Sequence, residues 1–177
     1  NEVIRQLAAR RSVRAFEDRD IPGEVRAAIL EAAAQAPTAG NQQLYTILDV
    51  TDPQLKARLA ETCDHQPFIA QAPMVLIFLA DVCKWLDAYR EAGCEPRAPG
   101  AGDLMLAASD AAIAAQNAVT VAWSLGVGSC YIGDVMERCE EHREMLNLPP
   151  HVFPAAMLVL GYPTEQQARR PKPERFN

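Results

Sequence analysis

The chain has 177 residues, 49% hydrophobic and 23% charged, which excludes a disordered, fibrous or collagen-like protein and predicts one domain over residues 1–177. A net charge of −6 argues against a general nucleic-acid binder, whose affinity comes from Lys and Arg neutralising phosphates. Five cysteines without a C-x-x-C pair, and three histidines in no H-x-x-x-H spacing, predict reduced thiols in a cytoplasmic protein rather than a metal site or disulfides.

Val3, Ile4, Leu7 and Ala8 recur at helical spacing, so a short amphipathic helix is expected up to Arg10-Arg11. This segment is charged and has no apolar h-region, so no signal peptide is expected. Ser12 to Pro22 reads as a loop, and a second helix runs from Pro22-Gly23-Glu24 to Gln35 with Val25, Ile29, Ala32 and Ala33 on one face. Pro37 to Asn41 is a turn-rich break. Tyr45 to Val50 is a predicted strand, and Asp52-Pro53 opens a helix through Cys63 with proline in its first turn. Met74 to Ala80 is continuously apolar, as in a strand buried on both faces. A helix from Lys84 to Ala92 and a loop from Gly93 to Asp103 follow.

From Leu104 to Leu125 the chain is apolar for long enough to span a bilayer. Asp110, Gln116, Asn117 and Thr120 lie inside that stretch, and such groups are expensive in lipid. The expectation is a helix buried in a core or between two copies of the chain, with no membrane involved. Gly128 to Gly133 is a short strand or turn, Met136 to Leu146 a charged helix, and Pro154 to Gly161 another buried strand. The end, Arg169 to Asn177, is basic and contains proline. Helices interleaved with apolar strands predict helices packed on a mostly buried sheet.

Three stretches carry possible chemistry. Arg10-Arg11-Ser12-Val13-Arg14 can converge guanidinium groups on one phosphate, or it can be the solvated basic end of the first helix. Ala36 to Gln43 combines small residues, which let a planar ligand approach the backbone, with the amides of Asn41 and Gln43; an ordinary connecting loop would look similar. Leu125 to Gly133 is glycine-rich but has neither the G-x-G-x-x-G nor the G-x-x-x-x-G-K spacing, and suggests a close backbone pass beside a ligand. Cys130 is expected to be a packed thiol, His65 a surface residue, and Asp110 the cap of a buried network or a partner contact. No G-x-S-x-G elbow is present.

Taken together and in order, these stretches resemble the FMN-dependent nitroreductase family. The resemblance runs through Arg-Arg-Ser-x-Arg-x-Phe (Arg10 to Phe16), Ala-Pro-x-x-x-Asn-x-Gln (Ala36 to Gln43) and Ala-Ala-Gln-Asn (Ala114 to Asn117). It continues in Leu-Gly-x-Gly-Ser-x-Tyr-Ile-Gly (Leu125 to Gly133), Leu-Pro-x-His-x-x-Pro (Leu148 to Pro154), Leu-Gly-Tyr-Pro (Leu160 to Pro163) and Lys-Pro-x-Arg (Lys172 to Arg175). The resemblance implies an α+β fold with a central mixed sheet flanked by helices, in a domain-entwined homodimer with FMN at the interface. It implies that Arg10, Ser12 and Arg14 hold the phosphate and ribityl end, joined by Lys172 and Arg175. Thr38, Asn41 and Gln43 would contact the flavin edge, with Gln66 from a following loop. Backbone amides of Ile132 and Gly133 would face flavin N5 and O4. Arg11, Pro37 and Tyr131 belong to the same motifs and are carried with them. Thr38-Ala39 stands where the family often has a serine pair, and the loop from Gly93 to Asp103 is shorter than in larger members.

The activity so implied is NAD(P)H oxidation in a ping-pong cycle: hydride passes through flavin N5 to a small electron-poor acceptor, a nitroaromatic or a quinone. The chemistry is the cofactor's, so no catalytic side chain is expected. Alternatives on the same fold are a flavin-binding or storage protein without turnover, a flavin-using dehalogenase, and a flavin-destroying enzyme.

Overall fold

The computed structural model describes residues 1–164. Tyr45–Asp49 (β1), Met74–Asp81 (β2), Gly128–Ile132 (β3) and Val152–Gly161 (β4) form a sheet in the order β1-β2-β4-β3, with every neighbouring pair antiparallel. A mixed sheet was expected. Among the described residues the parallel contact is an isolated bridge between Ser12 and Ser129, which stops at one residue pair and so forms no strand.

Side chains of a strand alternate between faces, and β2 is apolar at every position but the last, so both faces need cover. Met74, Leu76 and Phe78 pack with Ile29 and Ala33 of Gly23–Ala34 (α2) and with the alanines of Ala101–Ser124 (α6). Val75, Ile77 and Leu79 pack on the other face. They meet Leu59 of Pro53–Thr62 (α3), Ile69 of Phe68–Gln71 (α4) and Val135 of Asp134–Glu137 (α7). Met145 of Cys139–Met145 (α8) lies against the same cluster. Glu2–Ala9 (α1) touches α6, and Cys83–Glu91 (α5) lies beyond the end of β2. The layers are thus α–β–α.

Local signals explain several boundaries. The Asp52 carboxylate accepts from the Gln54 amide at 2.9 Å and Pro53 occupies the first turn, which starts α3 where predicted. α6 begins at Ala101, earlier than expected, because Asp103 reaches back to the Gly100 amide at 2.8 Å. The helix predicted from Met136 to Leu146 is two helices, broken at Arg138 (φ −110°, ψ 46°). Pro154 lies inside an interior strand, where it has no amide to donate. The ladder absorbs it with a register shift opposite Phe78 and Leu79.

α6 is long and apolar enough to cross a membrane by length and composition. Here it is a core helix, burying Ala107, Asp110, Ala111, Ala114, Ala115, Ala118, Val119 and Ala122.

Candidate functional site

The free edge of β3 carries the first group of predicted residues. The Val13 amide donates to the Ser129 carbonyl at 2.9 Å, which lays the Arg10–Arg14 segment along the strand. That approach requires glycine at 128. A Cβ there would stand 2.6 Å from Val13 Cγ2. Ser12 and Arg14 lie near the Cys130 thiol, whose pKa burial pushes up and the nearby Arg14, Ser12 and Arg10 oppose. Cys130 is the packed thiol expected. Burial pushes the Tyr131 phenol up to about 12 against the pull of Arg10, although part of its ring is exposed. Neither Arg10 nor Arg14 has a carboxylate partner among the described residues. Two cations with no carboxylate partner among the described residues, and a hydroxyl on the same strand edge, are the donor types that suit an anion. Arg11 turns to α6, its guanidinium 5.8 Å from the centroid of the Trp123 ring.

Gln66 joins this edge from the other layer. Its side-chain amide donates to the Cys63 carbonyl at 2.8 Å and to Asp134 Oδ2 at 3.1 Å, directly after Ile132 and Gly133. The reversal before it uses two left-handed residues, Asp64 (φ 59°) and His65 (φ 51°). His65 is exposed, as expected, and lies 2.8 Å from Glu61. The turn is tied down by His142, which is fully buried. His142 Nδ1 faces the Val135 carbonyl at 3.0 Å, so that nitrogen carries the proton, and Nε2 lies 2.9 Å from the Thr62 hydroxyl. Burial drives the adjacent Cys63 thiol up to about 12. No motif pointed to His142; only its place on a charged helix beside a buried strand could have.

The second group lies at the start of β1. Ala39–Asn41 forms a tight helical turn, and Gly40 (φ 57°), Asn41 (φ 56°) and Gln43 (φ 46°) are left-handed. Thr38 Oγ1 accepts from the Gln43 amide at 3.2 Å, and Gln43 Nε2 donates to Asn41 Oδ1 at 2.8 Å. Pro37 is exposed beside them. Asp110, buried in α6, accepts from the amides of Ala39 at 3.0 Å and Leu44 at 3.3 Å, which realises the buried network expected of it. Lys84 donates to the carbonyls of Gln43 and Tyr45, and the Trp85 indole to that of Gln42 at 2.8 Å. A cavity of about 560 Å³ opens beside this loop, walled by Leu44, Trp85, Leu86, Tyr89 and Leu106 and rimmed by the Arg97–Asp103 ion pair.

Within one chain the two groups belong to different edges of the sheet. β1 and β3 are the outer strands of a four-stranded sheet, three spacings of about 4.8 Å apart. The two loops expected to enclose one ligand thus stand at opposite edges of the sheet within a single copy. α6 runs past both groups, with Asp110 at the β1 loop and Gln116 Oε1 accepting from Tyr131 Oη at 3.5 Å. Lys172 and Arg175 lie outside the described residues.

Residues 7–162 match the Nitroreductase family. The chain belongs to that family. Among its relatives it is 36% identical over 175 residues to the FMN reductase [NAD(P)H] of Bacillus subtilis (strain 168), covering 97% of this chain and 70% of that protein. It is 34% identical over 169 residues to the oxygen-insensitive NADPH nitroreductase of Salmonella typhimurium, covering 96% and 69%. The structure of B. megaterium NfrA2 superposes with a TM-score of 0.92 at 34% identity, covering 100% of this chain and 76% of that one. The nitroreductase fold so established is α+β, as expected.

Proposed function

We propose that this chain is an FMN-dependent NAD(P)H oxidoreductase that reduces small electron-poor acceptors such as nitroaromatics or quinones, and that two copies complete each cofactor site. Family membership and relatives that are FMN reductases and a nitroreductase support the activity. The observation that carries the site is the β3 edge, where Arg10, Ser12 and Arg14 gather near Cys130, Gln66 bonds Asp134 just after the strand, and among the described residues no carboxylate pairs with the two arginines.

The donor set fits FMN. Guanidinium groups and a hydroxyl suit a dianionic phosphate, and Lys172 and Arg175 are assigned to the same end. The Gln66 amide and the backbone at Ile132 and Gly133 suit the polar edge of the ring. Bound FMN supplies two-electron redox chemistry that no side chain here has. The chain's own part is to grip the phosphate, orient the ring and place cations and amides where negative charge accumulates. From the partner copy, Pro37, Thr38, Asn41 and Gln43 would close the other side.

Dimerisation explains a large exposed apolar surface. Val3, Ile4 and Leu7 on α1 and Leu104, Met105, Leu106 and Ile113 on α6 are 40–70% exposed. Such an extent of apolar surface suits an interface between copies better than water. One sheet shared by both helical layers supports a single domain, and five free cysteines support a reducing, cytoplasmic setting.

Purified protein tests the reading. A yellow preparation that takes up FMN, bleaches with NADH or NADPH and recovers its colour with a quinone or nitro compound is the expected result. Bound flavin that neither nicotinamide can reduce would instead make the chain a flavin carrier.

A further inference from the structure

The β1 loop has an unusual support. Three of its residues within four positions hold left-handed backbone, two of them not glycine, and such conformations persist only where surrounding structure imposes them. An irregular loop also has amides and carbonyls with no ladder to satisfy them.

We propose that Asp110, seconded by Lys84 and Trp85, is a positioning residue that presets the Thr38–Leu44 loop for flavin, acting through the loop backbone without touching the cofactor. This rests on the cofactor reading above. Asp110 sits among Ala107, Ala111 and Ala114 at 3% exposure, where an alanine would pack without the expense of burying a charge. Among the described residues no cation pairs with it. Its two oxygens instead accept the Ala39 amide near the start of the loop and the Leu44 amide at its end, one apiece. A carboxylate can accept at both oxygens, whereas an amide side chain accepts at only one and would present a donor to the other N–H. Lys84 and Trp85 hold the carbonyls between and beyond those amides, those of Gln42, Gln43 and Tyr45. The loop is thus fixed from both polarities by groups on two different helices. The side chains of Asn41 and Gln43 inherit their direction from that backbone and meet at 2.8 Å.

The test compares FMN titrations of wild type, Asp110→Asn, Lys84→Met and Tyr45→Phe by quenching of flavin fluorescence, with melting temperatures measured alongside. Asp110→Asn is expected to weaken FMN binding by about tenfold or more, and Lys84→Met by about three- to tenfold. Tyr45→Phe removes a hydroxyl bond to the Ala33 carbonyl at 3.2 Å in the same core, so it lowers the melting temperature and leaves FMN affinity unchanged. A merely structural role for Asp110 would make its affinity loss follow melting temperature along the line that Tyr45→Phe sets. If Asp110→Asn does not fold, Lys84→Met decides. FMN affinity within about twofold of wild type in the folded variants overturns the proposal, while wild-type protein that takes up no FMN overturns the cofactor reading and this proposal with it.

Discussion

The two edges of the sheet carry the same proposed site by different means. At the β3 edge the working parts are side chains, Arg10, Ser12, Arg14 and Gln66, and the backbone beneath them is a regular strand that glycine at 128 lets the N-terminal segment approach. At the β1 edge the working part is backbone, a loop with three left-handed residues whose neighbouring amides and carbonyls are held by acceptors and donors from α5 and α6. A cationic cluster binds by charge and tolerates modest backbone error. A shaped loop binds by geometry and has to be fixed before the ligand arrives. The two halves should therefore fail differently.

Breaking the backbone at the β3 edge should have the largest effect. In Gly128→Ala the new methyl meets Val13, so overpacking of about 1–3 kcal/mol is expected, along with displacement of the three groups proposed to hold the phosphate. Thermal melting and FMN titration should fall together. Next come Arg10→Ala and Arg14→Ala, each expected to weaken FMN about 10- to 100-fold by losing charge-assisted bonds, with melting nearly unchanged. The same two variants should flatten the salt dependence of FMN affinity, an effect absent from variants at the β1 edge.

Thiol chemistry gives a smaller contrast. Cys63, raised to about 12 by burial beneath the Gln66 turn, should stay unmodified by a disulfide reagent at pH 8, whereas exposed Cys94 by the β1-edge cavity reacts at once. Mass spectrometry after labelling distinguishes them. The smallest effect belongs to the ion pair on the cavity rim. Arg97 beside Asp103 holds that carboxyl at about 2, below its ordinary 3.8, with the Gly100 amide helping. A depressed folded value means that the contribution is complete above 3.8 and is lost as pH falls toward about 2. Protection of the Gly100 amide in hydrogen exchange should fall over that window, with little change in global melting because the pair sits on the rim and Arg97 faces solvent.

The same contrast explains how much could be read from the chain alone. β2 and β4 were legible because their apolar runs have only one place to go, and the Arg10–Arg14 cluster because its residue types announce an anion. The antiparallel pairing was not legible. Burial on both faces looks the same in either direction, and the topology, not the composition, decides it. Nor did residue types reveal that the two polar loops lie at opposite edges of the sheet, since sequence order carries no strand order. Asp110 was visible as an anomaly in an apolar helix, yet its partners are backbone amides 66 and 71 positions away. Lys84 and Trp85 gave no signal, because one reads as a surface cation and the other as core. His142 likewise became meaningful only when Val135 and Thr62 closed around it.

The central claim is that each FMN site takes its β3 edge from one copy and its β1 loop from the other, and subunit exchange tests it directly. A chain carrying Arg10→Ala and Arg14→Ala is mixed with a chain carrying Asn41→Ala and Gln43→Ala, each weak in FMN by itself, and the mixed dimer is isolated by two affinity tags. One intact site should reappear, with one FMN per two chains at wild-type affinity, because the undamaged edges meet across the interface. A mixed dimer that binds FMN no better than its parents would contradict the claim, since each site would then be assembled within a single chain.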